Sequence, residues 1–125
     1  TEVKWIKRWY TRQSKQKQAS FKKMIKSGQI EILMGGWSAT DEACPEYNQL
    51  INNMYLGHQW LKKEFGVVPK VGWMIDSFGH SAGNAALFAD FGFDAMFILY
   101  KLLLHIFCRS NYIRYSSNYT NKKKY

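Results

Sequence analysis

Apolar positions change their spacing several times along the chain, and each change marks an element. Val3-Lys4-Trp5-Ile6 alternates enough to predict a short strand over 1–6, with Arg8-Trp9-Tyr10 crowding aromatics at its end. Gln13 to Ser27 reads as a helix whose buried side is thin. Phe21, Met24 and Ile25 stand at i, i+3 and i+4 among solvated lysines, and Gly28 falls where a left-handed cap is wanted. Gln29-Ile30-Glu31-Ile32-Leu33 predicts a second strand. Gly35-Gly36 then lets the backbone bend sharply and bring Trp37 over the sheet edge.

The strongest helix follows. Pro45 suits a first helical position, and Tyr47, Leu50, Ile51, Met54, His58, Leu61 and Phe65 hold one face until Gly66. Lys70 to Ile75 predicts a third strand. Ser81 and Gly92 bracket a helix over Ser81 to Phe91, and Phe93 to Ile98 predicts a fourth strand. The order β-α-β-α-β-α-β means parallel strands, in either an open doubly wound sheet or part of a barrel. Beyond Ile98 the pattern stops. Residues 99–125 hold six Lys and Arg, no acid, and an Asn118-Tyr119-Thr120 glycosylation spacing. The expected organisation is a domain fragment over 1–98 and a divergent basic tail over 99–125 that is disordered or not native to the domain. Opening on Thr1, inside a patterned segment, also argues for a piece of a larger protein.

Chemistry concentrates at Lys70-Val71-Gly72-Trp73-Met74-Ile75-Asp76-Ser77-Phe78-Gly79-His80-Ser81. An apolar run ends on a carboxylate, a glycine turn follows, and a hydroxyl opens a helix. In α/β proteins this delivers a reactive group to the carboxyl edge of the sheet, where pockets form. Asp76 is the candidate catalytic residue; its plainer role is to cap the helix or brace the turn. Trp9 and Trp37 are candidate sugar-stacking residues, with packing as the alternative. Asp41 and Glu42 suit a metal or a sugar hydroxyl, or more simply the first turn of the coming helix. His58, on an apolar face, reads as a satisfied core histidine.

The net charge of +9 invites a nucleic-acid reading that its distribution opposes. Nine Lys and Arg face the single acid Glu2 in residues 1–30, whereas residues 31–98 carry eight acids against three lysines. A solvated helix face and a basic tail account for this. Cys44 and Cys108 form no metal-binding spacing and no disulfide framework. The longest apolar run, Ala95 to Cys108, is broken by Lys101 and His105 and falls short of the ~20 residues of a membrane helix.

Several of these segments, in this order and spacing, resemble the α-mannosidases of glycoside hydrolase family 38. They are Glu2-Val3 through Arg8-Trp9-Tyr10, Gly28-Gln29-Ile30-Glu31, Gly35-Gly36-Trp37, Asp41-Glu42-Ala43 and Trp73 through Ser81. Phe88-Ala89 and Gly92-Phe93-Asp94 extend the likeness, which covers residues 1 to about 98 and is nearest the lysosomal-type branch. The resemblance implies a partial (β/α)7 barrel of about four parallel strands, cut from an amino-terminal catalytic domain. It implies retaining hydrolysis of terminal α-mannosidic bonds in glycans, with Asp76 as nucleophile and as one ligand of a Zn2+ ion. It also implies a lysosomal, vacuolar or secretory location, with glycans as partners; neither a nucleic-acid partner nor a membrane span is expected from the charge distribution and apolar runs above.

Two departures accompany the likeness. The family's His-x-Asp metal pair, a further His ligand and its acid/base Asp have no counterpart in this chain, and Ser77 stands where the family usually has proline. One ligand where roughly three are needed holds no zinc, and a nucleophile without its acid is stranded. The isolated 125-residue chain is therefore expected to be inactive. The competing reading is a non-catalytic truncated product or pseudoenzyme that at most binds glycans through Trp9 and Trp37.

Overall fold

The first element is a helix, not a strand. In the computed structural model, which describes residues 2–43, 46–100 and 103–108, α1 spans Val3–Tyr10. Val3, Ile6 and Tyr10, three and four apart, face the core; Trp5, which gives the apparent alternation with Val3, and Trp9 are half-exposed. The first-turn amides of α1 find carbonyls outside the helix. Val3 N donates to Gly36 O at 2.9 Å and Lys4 N to Trp37 O at 3.1 Å. A helix end thus docks on the Gly-Gly-Trp bend, satisfying donors that have no intrahelical partner.

Helix α2, Lys15–Lys26, follows the expected pattern, with Ser14 accepting from Lys17 N at 3.4 Å. Gly28, at φ +75°, turns the chain out of it, and Ile30 N returns to Met24 O at 3.2 Å. The strand expected over Gln29 to Leu33 is absent: the segment forms no ladder with another strand among the described residues. A tight Gly35 N to Leu33 O bond and Met34 at φ +61° curl its end, and one bond, Met34 N to Val71 O at 2.7 Å, fastens it beside the sheet. The alternation still serves packing, since Ile32 is buried and Glu31 exposed.

Helix α3, Tyr47–Phe65, buries Leu50, Met54, Gly57, Leu61 and Phe65 and stops at Gly66, φ +74°. Tyr47, expected on that face, lies one turn short of the core and is exposed. A Cβ built on Gly57 would sit 1.9 Å from Gly35 O, so only glycine lets the helix backbone meet the 35–37 loop.

Strand β1, Val71–Met74, helix α4, Ala82–Asp90, and strand β2, Ala95–Tyr100, make a β-α-β unit with β1 and β2 parallel in the register Val71↔Ala95 to Met74↔Ile98. Strand β3, Leu103–Cys108, then pairs antiparallel with β2, giving the order β1-β2-β3. Among the described residues, the expectation of about four parallel strands is thereby corrected to one parallel pair with an antiparallel neighbour. Regular structure also runs past the boundary expected at Ile98. The remaining expectations for the tail, and those for Cys44 and Pro45, lie outside the described residues. The architecture is α/β in character.

Two apolar cores result among the described residues. Val3, Tyr10, Ile25, Ile32, Leu61 and Phe65 fill the space among the first three helices. Met34, Met54, Met74, Phe88, Phe93 and Ile98 fill the space between the sheet, α4 and the inner side of α3. At the rim of the first core, Glu64 accepts from Tyr10 OH at 3.1 Å and pairs with Lys22 Nζ at 2.8 Å. The Lys22 hydrogen bond holds the Glu64 carboxyl below the usual range against its partial burial, while burial and then Glu64 push the Tyr10 hydroxyl up.

Candidate functional site

Asp76 lies two residues beyond the last residue of β1, on the turn that leads to α4. The strand stops there because Ile75 and Asp76 leave the pairing with β2, whose last partner on β1 is Met74. The Asp76 carboxylate is exposed and makes no hydrogen bond or ion pair among the described residues. It does not cap α4. Ser81 does, its hydroxyl accepting from Asn84 N at 3.4 Å. The helix-capping alternative for Asp76 therefore fails on position, and an uncommitted carboxylate remains at the sheet edge.

The turn itself is built to bend. Gly79 adopts φ +147°, outside the range of ordinary side-chain-bearing residues, between Phe78 and His80. Phe78 is 83% exposed at its tip. The far side of the turn is gripped by Glu42, whose Oε1 meets His80 Nδ1 at 3.1 Å and whose Oε2 accepts from Ser81 N. The Glu42 side chain is only 3% exposed, so both oxygens of a nearly buried carboxylate are committed to this turn.

The loop that carries Glu42 is fixed in turn by α3. Asn53 Oδ1 accepts from Ser38 N at 2.8 Å, and its Nδ2 donates to Ser38 O at 3.0 Å and Thr40 Oγ1 at 3.1 Å. Asp41 Oδ1 accepts from Ala43 N at 3.1 Å. The sequence expectation that Asp41 and Glu42 serve the first turn of α3 is corrected here. That helix begins after Glu46, and the two carboxylates close a loop and cross to another element. Nothing in the sequence points to Glu42 as the partner of His80 and Ser81, because they lie 38 and 39 residues away.

His58 behaves as a satisfied interior histidine: its Nε2 is 2.9 Å from Met34 O and its ring stands edge-on to Phe93. Trp9 packs edge-on against Phe21 with ring centroids 5.1 Å apart, leaving 47% of the residue exposed. Trp37 packs against the first core, under Lys7 Nζ at 5.1 Å from the ring centre. No described contact joins either tryptophan to the Asp76 turn. Among the described residues no group of three or more His, Cys, Asp or Glu is arranged to hold a metal ion. None of their helices is long and apolar enough to cross a membrane.

Residues 1–102 match the model of the glycosyl hydrolases family 38 N-terminal domain. An α-mannosidase of Arabidopsis thaliana is 50% identical over 97 residues, covering 77% of this chain and 10% of the relative. A lysosomal α-mannosidase of Dictyostelium discoideum is 46% identical over 97 residues, covering 78% of the chain and 10% of the relative. The human protein named α-mannosidase 2 is 42% identical over 98 residues, covering 78% and 9%. The chain thus spans about a tenth of the length of the curated relatives it matches.

Proposed function

The chain belongs to family 38 of the glycosyl hydrolases, and from that membership we propose that it is part of the amino-terminal catalytic domain of a retaining α-mannosidase, with Asp76 as the nucleophile. One observation carries the assignment. The Asp76 carboxylate is exposed and unpaired among the described residues, on a turn held at one end by β1 and at the other by Glu42. A carboxylate held this way can attack an anomeric carbon in line.

In this reading an Asp76 oxygen bonds to the anomeric carbon as the glycosidic C–O bond breaks and the leaving oxygen takes a proton from an acid. Water then cleaves the glycosyl–Asp76 ester, regenerating the carboxylate with retained configuration. The acid must stand roughly 5 Å from the nucleophile. Glu42 is not that acid, since both its oxygens are engaged with His80 and Ser81. The acid comes instead from elsewhere in the complete enzyme, as do the further protein ligands of the Zn2+ ion, because Asp76 alone does not make a zinc site. The (β/α)7 barrel likewise belongs to the complete enzyme, in which the β1-α4-β2 unit would be one repeat.

The substrates are glycans ending in α-mannose, and the compartment is the lysosome, the vacuole or the secretory pathway. The relatives' names, one of them lysosomal, support both. In the complete enzyme, Asp76→Asn should lower hydrolysis of a chromogenic α-mannoside at least a thousandfold. Activity within tenfold of wild type would remove Asp76 from the chemistry. The 125-residue chain alone, with zinc added, should show no turnover, and turnover that Asp76→Asn abolishes would overturn that expectation.

Glycan binding without catalysis is the second reading, favoured by the exposed half of Trp9; Trp37, covered by Lys7, is its weaker contributor. Saturable binding of a mannose oligosaccharide by the 125-residue chain, lost in Trp9→Ala, would support it.

A further inference from the structure

We propose that Glu42 is the positioning residue of the Asp76 turn, setting where the nucleophile points without touching substrate. The proposal rests on the catalytic reading of Asp76 for its consequence, but not for its geometry. A carboxylate with 3% of its side chain exposed is costly to bury unless both oxygens are satisfied. Here both are, and both by the same short segment: the His80 ring on one side and the Ser81 backbone amide on the other. The second bond is charge-assisted and goes to an amide just ahead of the first turn of α4, so it fixes main chain and not merely a side chain.

The consequence for Asp76 follows from chain length. Met74 is locked into β1 by its pairing with Ile98, and His80 and Ser81 are locked by Glu42. Only residues 75–79 lie between, with a bend at Gly79 that no other residue adopts easily. A five-residue span tied at both ends has few conformations. Released at the Glu42 end, it would pivot about β1 and carry the Asp76 carboxylate with it. Glu42 is itself anchored, because Asn53 of α3 fixes Ser38 and Thr40 just upstream. A path of hydrogen bonds therefore runs from α3 through the 38–42 loop to the turn. Such positioning matters in catalysis, where small misplacements of a reacting group cost orders of magnitude in rate.

The test uses three substitutions at one position. Glu42→Gln keeps the reach and an acceptor oxygen for Ser81 N; Glu42→Asp keeps the charge but is one methylene short; Glu42→Ala keeps neither. In the 125-residue chain, amide exchange at Ser81 should accelerate at least tenfold in Glu42→Ala and Glu42→Asp and stay within about threefold of wild type in Glu42→Gln. Exchange at Leu61, in the helical core, serves as the internal control and should change by less than threefold. In the complete enzyme, Glu42→Ala should lower kcat at least tenfold with KM within threefold, and Glu42→Gln should recover most of the loss. Unchanged Ser81 exchange in Glu42→Ala, or equal acceleration at Leu61, would overturn the proposal. So would a Glu42→Gln variant as impaired as Glu42→Ala. Should Asp76→Asn leave activity intact, the catalytic reading fails alone, and Ser81 exchange still decides whether Glu42 holds the turn.

Discussion

The two cores of this chain are made of different materials. In the helical core Tyr10, Phe21, Trp60 and Phe65 meet edge-to-face, Phe65 standing 5.2 Å from Tyr10, 5.6 Å from Phe21 and 5.3 Å from Trp60. Such pairs have directional preferences and lock one arrangement. The sheet-side core leans on Met34, Met54 and Met74 with Phe88 and Phe93, and methionine adapts its shape to its neighbours. The helical region is tied by rings to itself. The sheet region ends in a turn that displays Asp76 and Phe78 to solvent and is held by one carboxylate from elsewhere. The two regions are joined by the backbone contact at Gly57 and by the hydrogen bonds of Asn53 and Glu42.

The hardest blow to this contrast is Phe65→Ala, which removes three ring contacts at once. It should cost about 3–5 kcal/mol in urea unfolding and weaken the near-ultraviolet circular dichroism of the buried aromatics. A loss below about 1 kcal/mol would mean that the rings do not hold the helices together. Gly57→Ala strikes the joint between regions and should cost about 3 kcal/mol, because the new Cβ must push the Gly35 carbonyl aside. An unaltered urea midpoint there would show that the joint is loose.

The pH dependence of the helical region is a finer probe. The hydrogen bond from Lys22 depresses the Glu64 carboxyl in the folded state, with a smaller part from Tyr10. Its stabilising contribution is therefore complete above the unfolded glutamate value of about 4.3 and fades as pH falls through the lower folded value. Wild type should lose more stability than Glu64→Gln over that window, by an amount smaller than either core substitution. Parallel stability curves for the two proteins would contradict it. The mildest change is Asp76→Asn, expected within about 0.5 kcal/mol of wild type because the carboxylate supports nothing in the fold. A larger shift would make Asp76 structural.

Legibility in the sequence followed the range of the forces involved. Helices α2, α3 and α4 and their glycine exits at 28, 66 and 92 were readable because period and capping are local properties. The period of helix α1 is hidden in the sequence because its outward Trp5 and Trp9 are as apolar as its inward Val3 and Ile6. Residues 29–33 carry a strand's alternation but no strand among the described residues forms a ladder with them, and pairing is not written in one segment alone. Asp76 was visible because a carboxylate after an apolar run is a short-range signal. For Glu42 the sequence offers a metal, a sugar hydroxyl or a helix start; its actual partners depend on how α3 and β1 fold together.

Where α3 crosses the 35–37 loop, backbone lies on backbone at Gly57, and no compliant side chain separates them. Two elements joined in this way share displacements as parts of one lever, with nothing between them to absorb strain. A push on the outer face of α3 would accordingly reach the 35–37 loop directly as motion, with no side chain to absorb it.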